Sequence, residues 1–353
     1  MNRQPSHEYH RDDHLMNGQP LHDHDQAPPA AAPLRLGTRR SALATAQSGM
    51  VAREVSRVTG RPVELVEITT YGDTSREALA QIGGTGVFVS ALRDALLSGS
   101  IDFAVHSLKD LPTAEPEGLV LAAVPEREDP RDAVVAREGL GLEELLEKLA
   151  GSGRAARIGT GSPRRMAQLN AWAAARGSAV ETTPIRGNVD TRIGYVGSGE
   201  LDAVVLATAG LNRLGRSTEI TEHLEPELML PAPGQGALAI ECVSADRALA
   251  AALAALDHAP TRVAVAAERA LLAALEAGCS APVAALATWR DPDELLLEGV
   301  VGTADGATLL KMSTSGPVVL DERAEQQARA LGHALAARLL DAGASTLMGE
   351  RAR

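Results

Sequence analysis

The chain is poor in aromatic side chains and in cysteine. Its 353 residues include 2 Trp, 3 Tyr, 2 Phe and 2 Cys. Cores must therefore be built from aliphatic side chains, and a platform on which nucleic-acid bases stack is disfavoured because it needs exposed aromatic rings. The formal net charge of −12 argues against nucleic-acid or anionic-membrane partners. Taken alone, the same charge argues against an anionic small substrate as well.

Long apolar runs are missing too. No stretch of about 18 apolar residues is present, so no segment is predicted to span a bilayer. The N-terminus has no apolar segment of a secretory signal. Cys242 and Cys279 are too few for a disulfide framework and lack the spacing of a zinc site, so we predict no metal. These absences predict a cytoplasmic protein with free thiols.

Residues 1–33 form a segment of different composition. They carry five of the nine histidines, several acids and an Ala-Pro run at 27–33. With almost nothing to bury, this segment is predicted to be disordered. Weak metal binding by the histidines is one interpretation and a solvated extension is the other. The absence of a fixed ligand spacing favours the extension.

One α/β plan occurs twice in the chain. A short strand, a Gly-Thr turn and a helix that opens with two arginines occur over 34–47 and again over 156–169. Ser162 is predicted to cap the second helix, with Pro163 at its first position. Alternating short apolar strands and helices indicate mainly parallel sheets covered on both faces. Two similar domains with a cleft between them suit ligand binding and hinge closure.

A third region follows from about residue 259. A helix is predicted over 262–277, ended by Gly278. Strand-like runs such as 295–301 come next, and a final helix is predicted from about 320 to 342. This order of elements predicts a small α+β domain.

Arginines concentrate at the turns between strands and helices, in a chain with only three lysines. The clusters are Arg39 with Arg40, Arg164 with Arg165, and Arg186 with Arg192. A helix N-terminus favours anions, and guanidinium groups bind carboxylate or phosphate in bidentate fashion. Solvated surface arginines would explain any one pair. Three clusters at equivalent places favour a site for a ligand with several negative charges.

Asp110 and Cys279 are the candidate reactive groups. Asp110 follows Lys109 at the end of a buried strand, where α/β proteins usually place ligands. A carboxylate beside a cation stays ionised and can stabilise positive charge or move a proton, although a local ion pair that caps the loop explains the two residues equally well. Cys279 lies in a loop and has the accessibility of a reactive thiol, whereas Cys242 lies in a probable strand and suits a buried apolar position.

Nine motifs in one order resemble the porphobilinogen deaminase (hydroxymethylbilane synthase) family. The resemblance runs from Leu34 to at least Pro282. The motifs are GTRRS, GDTS, DFAVHSLKDLPT, EREDPRDA, GTGSPRR, IRGNVDTR, LATAGLNRLG, LPAPGQGALAIE and EAGCSAP. Each alone would be weak, but their shared order is highly specific.

The resemblance implies a fold that agrees with the repeat. We expect an α/β protein with two similar doubly wound domains of the periplasmic-binding-protein type flanking a cleft, and a small α+β domain that carries the cofactor cysteine. The expected bounds are 1–33 for the extension, 34–128 with 237–255 for domain 1, 129–236 for domain 2 and 259–353 for domain 3.

The resemblance also implies the chemistry. Family members carry a dipyrromethane cofactor, built from two porphobilinogen units and held by a thioether that matches Cys279. Four porphobilinogen molecules are deaminated, joined head to tail and released as hydroxymethylbilane, in porphyrin and haem biosynthesis. The family's catalytic carboxylate matches Asp110, beside which loss of ammonia leaves an azafulvenium cation. The resemblance suggests a monomeric transferase whose partner is this small anionic substrate.

Further positions match the family's binding residues. The cofactor-binding matches are Ser41, Asp73, Ser107, Lys109, Thr160, Ser162, Arg164, Arg165 and Arg192. The substrate-binding matches are Arg39, Arg186 and Arg213. Gln81 and Thr85 stand where some members have lysines, which puts a lysine role at that loop in doubt. If the arginines face one cleft, their local positive charge favours binding of an anionic substrate there, although the net charge of the chain is negative.

Two other functions compete with this one. A two-domain anion receptor without catalysis would suit the fold, since a fold does not determine a function. An inactive relative would have lost one of the reactive groups. Asp110 together with Cys279 favours the enzyme, because a simple receptor needs neither.

Overall fold

The computed structural model describes residues 32–69, 89–276, 281–303 and 305–348. Within these ranges no helix combines the length and apolarity that a membrane span requires. The same ranges hold no group of three His, Cys, Asp or Glu side chains placed to bind a metal ion. The predicted extension lies outside the described residues except for its last two positions.

The described elements alternate strands with helices up to residue 274 and then change to a strand meander. The strands are β1 (Leu34–Thr38), β2 (Val63–Glu67), β3 (Phe103–Ser107), β4 (Leu119–Ala123), β5 (Asp132–Ala136), β6 (Ala156–Thr160), β7 (Val180–Pro184), β8 (Ala203–Ala207), β9 (Glu222–Leu224), β10 (Leu238–Val243), β11 (Val283–Asp291), β12 (Glu294–Gly302) and β13 (Leu309–Pro317). The helices are α1 (Ala42–Thr59), α2 (Ser90–Leu97), α3 (Leu142–Ala150), α4 (Pro163–Ala175), α5 (Val189–Gly197), α6 (Thr208–Arg213), α7 (Arg247–Leu253), α8 (Ala259–Ala274), α9 (Ala324–Asp341) and α10 (Ala344–Leu347).

The strands form two five-stranded sheets of the same arrangement. The first has the order β2-β1-β3-β10-β4 and the second β7-β6-β8-β5-β9. In each, three parallel strands are followed by one antiparallel strand, β10 or β5, and then by an outer strand. The chain therefore leaves the first sheet after β4 and returns to it through β10. The predicted repeat of one α/β plan is confirmed.

Aliphatic side chains fill the cores of both sheets, as the shortage of aromatic residues requires. Leu36, Val55 and Ile240 lie in the core of the first sheet, where Phe103 is the one buried ring of its cluster. A cluster of aliphatic side chains that includes Ile158 forms the corresponding core of the second. At about 25 cal/mol per Å² of apolar surface, this burial is the main favourable term in folding.

Matching glycines bring strand and loop together in both sheets. A Cβ atom on Gly37 in β1 would lie 2.3 Å from Ile101 Cδ1, and one on Gly159 in β6 would lie 2.4 Å from Leu201 Cδ1. Only glycine allows this close approach. The Gly-Thr pairs, predicted as turns, are the last two residues of β1 and β6, and they are equivalent in packing as well as in sequence.

The C-terminal region is a small α+β unit, as predicted. Strands β11, β12 and β13 form an antiparallel meander that packs against α8 and α9. The two helices cross closely at Gly332, where a Cβ atom would lie 2.4 Å from Ala267 O. Helix α8 begins three residues before the predicted position, because Pro260 fits a first helical turn that needs no N–H donor. The exact domain bounds remain predictions.

Candidate functional site

Asp110 lies at the carboxyl end of β3, on a single 3-10 turn. Leu108 fixes this turn because its side chain is fully buried, whereas Asp110 is exposed. Between them, Lys109 donates from Nζ to Gln235 Oε1 at 3.3 Å. Burial lowers the pKa of Lys109 to about 8; Asp110 opposes this shift, and the nearby Arg165 and Arg164 add to it. The structure thus places Lys109 close to the second arginine cluster.

Arg164 and Arg165 form a buried cationic pair at the start of α4. Their relative exposures are only 4% and 6%. Arg164 Nη2 donates to Asp132 Oδ2 at 2.8 Å, and Arg165 Nη2 donates to Asp132 Oδ1 at 2.7 Å. Burial alone would raise the pKa of Asp132, but the two guanidinium groups outweigh it and hold that pKa below its usual range. One carboxylate compensates two cations, which leaves a net positive charge.

Gln235 links this pair to the Asp110 turn. Its fully buried side chain donates from Nε2 to Asp132 Oδ1 and to Pro130 O, both at 2.7 Å. Its Oε1 accepts from Lys109. Neither Asp132 nor Gln235 is among the predicted site residues, although both lie within the motifs. Their role becomes visible only through contacts between residues 32 to 126 positions apart.

Arg192 and Arg213 lie at the same end of the sheets. The pKa of Arg192 is lowered by burial and then by Arg165 and Arg186, so these three cations lie near one another. Arg213 donates from Nη2 to Gly236 O at 2.6 Å, and burial lowers its pKa. A narrow cavity of about 40 Å³ is lined by Lys109 and Arg213 together. The structure therefore brings together cations from both α/β halves.

The first arginine cluster is more open than the second. Arg39 is partly exposed, and Arg40 is exposed and pairs with Glu67 at 3.4 Å. Arg186, in the third cluster, is also exposed. The equivalence suggested by the repeated motif therefore holds for the backbone but not for the burial of the side chains.

The hydroxyl groups of the site differ in whether they already form hydrogen bonds within the protein. Ser41 Oγ caps α1 by accepting from Ala44 N at 3.2 Å. Ser107 Oγ bonds the Gln47 amide at 3.2 Å, and Thr160 is buried. Ser162 occupies the N-cap position of α4, but its side chain makes no cap hydrogen bond. Ser162 therefore takes the predicted N-cap position and Pro163 the first helical position, but the predicted cap hydrogen bond is absent, so the serine hydroxyl is left for other partners.

Several predicted residues lie outside the described ranges. These are Asp73, Gln81, Thr85 and Cys279. Cys242 is described and is fully buried in β10, as predicted. Burial raises its thiol pKa to about 11, which makes it a poor nucleophile.

Two family models cover most of the chain. The model "porphobilinogen deaminase, dipyromethane cofactor binding domain" matches residues 34–251, and "porphobilinogen deaminase, C-terminal domain" matches residues 263–341. The chain belongs to the porphobilinogen deaminase family. Porphobilinogen deaminase 1 of Streptomyces coelicolor is 67% identical over 324 residues, which cover 91% of this chain and 98% of the relative. The porphobilinogen deaminase of Thermobifida fusca is 53% identical over 324 residues, covering 92% and 98%.

Membership confirms the function implied by the motifs. Porphobilinogen deaminases are transferases of tetrapyrrole biosynthesis that deaminate porphobilinogen and polymerise it into hydroxymethylbilane. It also confirms dipyrromethane as the cofactor, since residues 34–251 match the domain that binds it.

The described residues fit a dipyrromethane. Its two rings carry acetate and propionate groups, which need cationic hydrogen-bond donors. Among the described cofactor-binding matches, Arg164 and Arg165 each have an Nε atom that is buried without a hydrogen-bond partner. Buried donors normally have partners, and a carboxylate would supply them here.

Proposed function

We propose that this chain carries its dipyrromethane on Cys279 and joins porphobilinogen units with Asp110 as the catalytic carboxylate. The observation that supports this is the arrangement at the end of β3, where exposed Asp110 adjoins Lys109 and Lys109 faces Arg164 and Arg165. Cations that can hold substrate carboxylates thus lie near Lys109, whose neighbour in sequence is a carboxylate that can stabilise a cation.

Asp110 acts at the carbon that loses ammonia. When the C–N bond breaks, its electron pair leaves with the nitrogen and positive charge spreads over the pyrrole ring. An oriented carboxylate lowers the energy of this cation. The same carboxylate accepts a hydrogen bond from the pyrrole N–H, and it can take up the proton that is released when the new C–C bond replaces a C–H bond of the acceptor ring.

The arginines bind the carboxylates of the growing chain. Each added ring brings about two negative charges, which suits guanidinium donors. Arg164, Arg165 and Arg192 hold the cofactor, whereas Arg39, Arg186 and Arg213 hold incoming substrate. When bound, the dipyrromethane supplies the pyrrole carbon to which the first unit is joined.

The polar residues complete the proposed site. Ser162 donates its unused hydroxyl to a carboxylate, and Ser41 can donate its proton while its oxygen still caps α1. Ser107, Thr160 and Asp73 belong to the proposal by their match to family positions. A cytoplasmic, monomeric state is also part of it.

Intact mass of the purified protein tests the covalent part. We expect the wild-type mass to include a dipyrromethane adduct, Cys279→Ser to lack it, and Cys242→Ser to keep it. An unmodified mass from an active wild-type preparation would overturn the attachment.

Turnover of the loaded Asp110→Asn variant tests the catalytic part. The substitution keeps the shape of the side chain and removes its charge, so we expect kcat to fall by about 10²–10³-fold. Thermal unfolding serves as the control for folding, because Asp110 is exposed. Wild-type turnover in this variant would remove Asp110 from the mechanism.

A further inference from the structure

One guanidinium group from the C-terminal region holds the turn that carries Asp110. Arg269 on α8 donates from Nη1 to Leu111 O at 2.9 Å and to Leu108 O at 3.4 Å. Its Nη2 donates to Pro112 O at 2.7 Å. The three carbonyl groups flank Asp110 on both sides, so a single side chain constrains the backbone of the whole turn.

The surroundings of Arg269 disfavour its positive charge. Burial lowers its pKa to about 10, and Arg329 adds to the shift. Among the described residues it forms no ion pair with a carboxylate, and its side chain donates instead to three backbone carbonyl groups. A partly desolvated cation is costly unless it is hydrogen-bonded. A smaller neutral residue would avoid this cost but would have too few N–H donors for three carbonyl groups.

The preceding residue holds the other side of Lys109. Glu268 accepts from Gly234 N at 2.7 Å, directly before Gln235, whose side chain meets Lys109. Glu268 also accepts from Arg127 Nη1 at 2.6 Å. Two successive residues of α8 therefore fix the Asp110 turn and the glycine turn opposite it.

We propose that Arg269 is a positioning residue that holds the Asp110 carboxylate in its reactive place by clamping the carbonyls of residues 108, 111 and 112. It does not touch substrate and acts only through the turn. The inference rests on the proposed role of Asp110, and it explains what keeps the Asp110 carboxylate in one position. An exposed turn without this clamp would let the carboxylate move, and a displacement of about 1 Å can cost about 100-fold in rate.

The experiment compares two arginines on the same helix in the loaded enzyme. Arg262 also joins α8 to the first sheet, through Asp257 at 2.8 Å and Leu121 O at 3.3 Å, but does not contact the Asp110 turn. We expect Arg269→Gln to lower kcat by about 10- to 100-fold while KM stays within about threefold. Arg269→Lys should recover part of that loss. Arg262→Gln should keep kcat within about twofold of wild type.

A double variant tells positioning from a general loss of stability. If Arg269 acts only through Asp110, then adding Arg269→Gln to Asp110→Asn should lower kcat little further, because effects of coupled residues are not additive. The inference is overturned if the two losses multiply, if Arg262→Gln loses as much kcat as Arg269→Gln, or if Arg269→Gln keeps wild-type kcat.

The readouts separate this inference from the proposed function. Wild-type turnover by loaded Asp110→Asn would overturn the role of Asp110 and the clamp together. An impaired Asp110→Asn with a fully active Arg269→Gln would overturn only the clamp. Adduct mass and a cooperative unfolding transition, measured on every variant, confirm that each is loaded and folded.

Discussion

The two α/β halves share a backbone plan but differ at one register position. In the first sheet, the antiparallel strand β10 begins with Leu238, opposite Ser107 at the end of β3. In the second sheet, the antiparallel strand β5 begins with Asp132, opposite Ala207 at the end of β8. The same place thus carries an apolar residue in one half and a carboxylate in the other.

That single difference decides whether the arginine side chains are buried or exposed. Asp132 gives Arg164 and Arg165 a buried partner, so both side chains leave water. The first half offers no carboxylate at the equivalent place, and Arg40 stays exposed. A buried guanidinium group is costly unless a carboxylate or hydrogen-bond acceptors compensate it, so the repeated arginine motif becomes a buried anion site in the half whose neighbouring strand supplies a carboxylate.

Asp132→Leu should have the largest effect, because it gives the second half the residue type of the first. Two buried guanidinium groups would lose their shared carboxylate, and removal of one partner from a buried pair costs about 3–5 kcal/mol. We expect that loss in the free energy of unfolding, measured by urea denaturation. A variant as stable as wild type would show that groups other than Asp132 compensate the charges of Arg164 and Arg165.

Asp132→Asn gives the matching pH test. The pKa of Asp132 is lowered in the folded state, so its charge stabilises the fold above the unfolded pKa of about 3.9. That contribution is lost as the pH falls towards the lower folded pKa. The difference in stability between wild type and Asp132→Asn should therefore be full at neutral pH and shrink below about pH 4. A pH-independent difference would contradict the ion-pair explanation.

Local sequence predicted the repeat and the Asp110 turn but not the contacts that make them a site. A strand that ends in Gly-Thr and the helix that follows it are formed by neighbours in sequence, which patterns reveal. The contacts of Asp132, Gln235 and Arg269 join residues 33, 126 and 158 positions apart, and no periodicity marks them. The missing cap hydrogen bond at Ser162 has no signal in the sequence, since a serine directly before a proline is a usual start of a capped helix.

Alanine at Gly37 or Gly159 tests whether the halves are equivalent where their sequences agree. Each new Cβ atom would lie within 2.4 Å of a buried side chain, and overpacking of this kind costs about 1–3 kcal/mol. We expect similar losses for both variants in urea denaturation. Gly194→Ala in α5 is the control, because no atom lies within 4 Å of its added Cβ. Losses in the free energy of unfolding that differ by more than about 2 kcal/mol, the width of that range, would show that the two strand ends are packed differently.

Lys109 lies in the first half and interacts with Arg164 and Arg165 of the second. The pH dependence of substrate binding tests whether its charge contributes to the site. Because its pKa is about 8, Lys109 loses its positive charge as the pH rises above that value. We expect KM for porphobilinogen to rise about three- to tenfold between pH 7 and 9, as one charge-assisted contact is lost. Lys109→Arg should remove this rise, because arginine stays charged. An identical KM profile in both enzymes would exclude Lys109 from binding the carboxylates of the substrate.

Arg40→Ala should have the smallest effect on stability. Its pair with Glu67 joins side chains that are 66% and 59% exposed, and such surface pairs contribute about 0–1 kcal/mol. Urea denaturation should therefore scarcely separate this variant from wild type, and high salt should remove any difference because it screens exposed charges. A loss as large as that of Asp132→Leu would mean that burial is not what distinguishes the two arginine clusters. The comparison between the halves would then have to rest on the backbone alone, where they are the same.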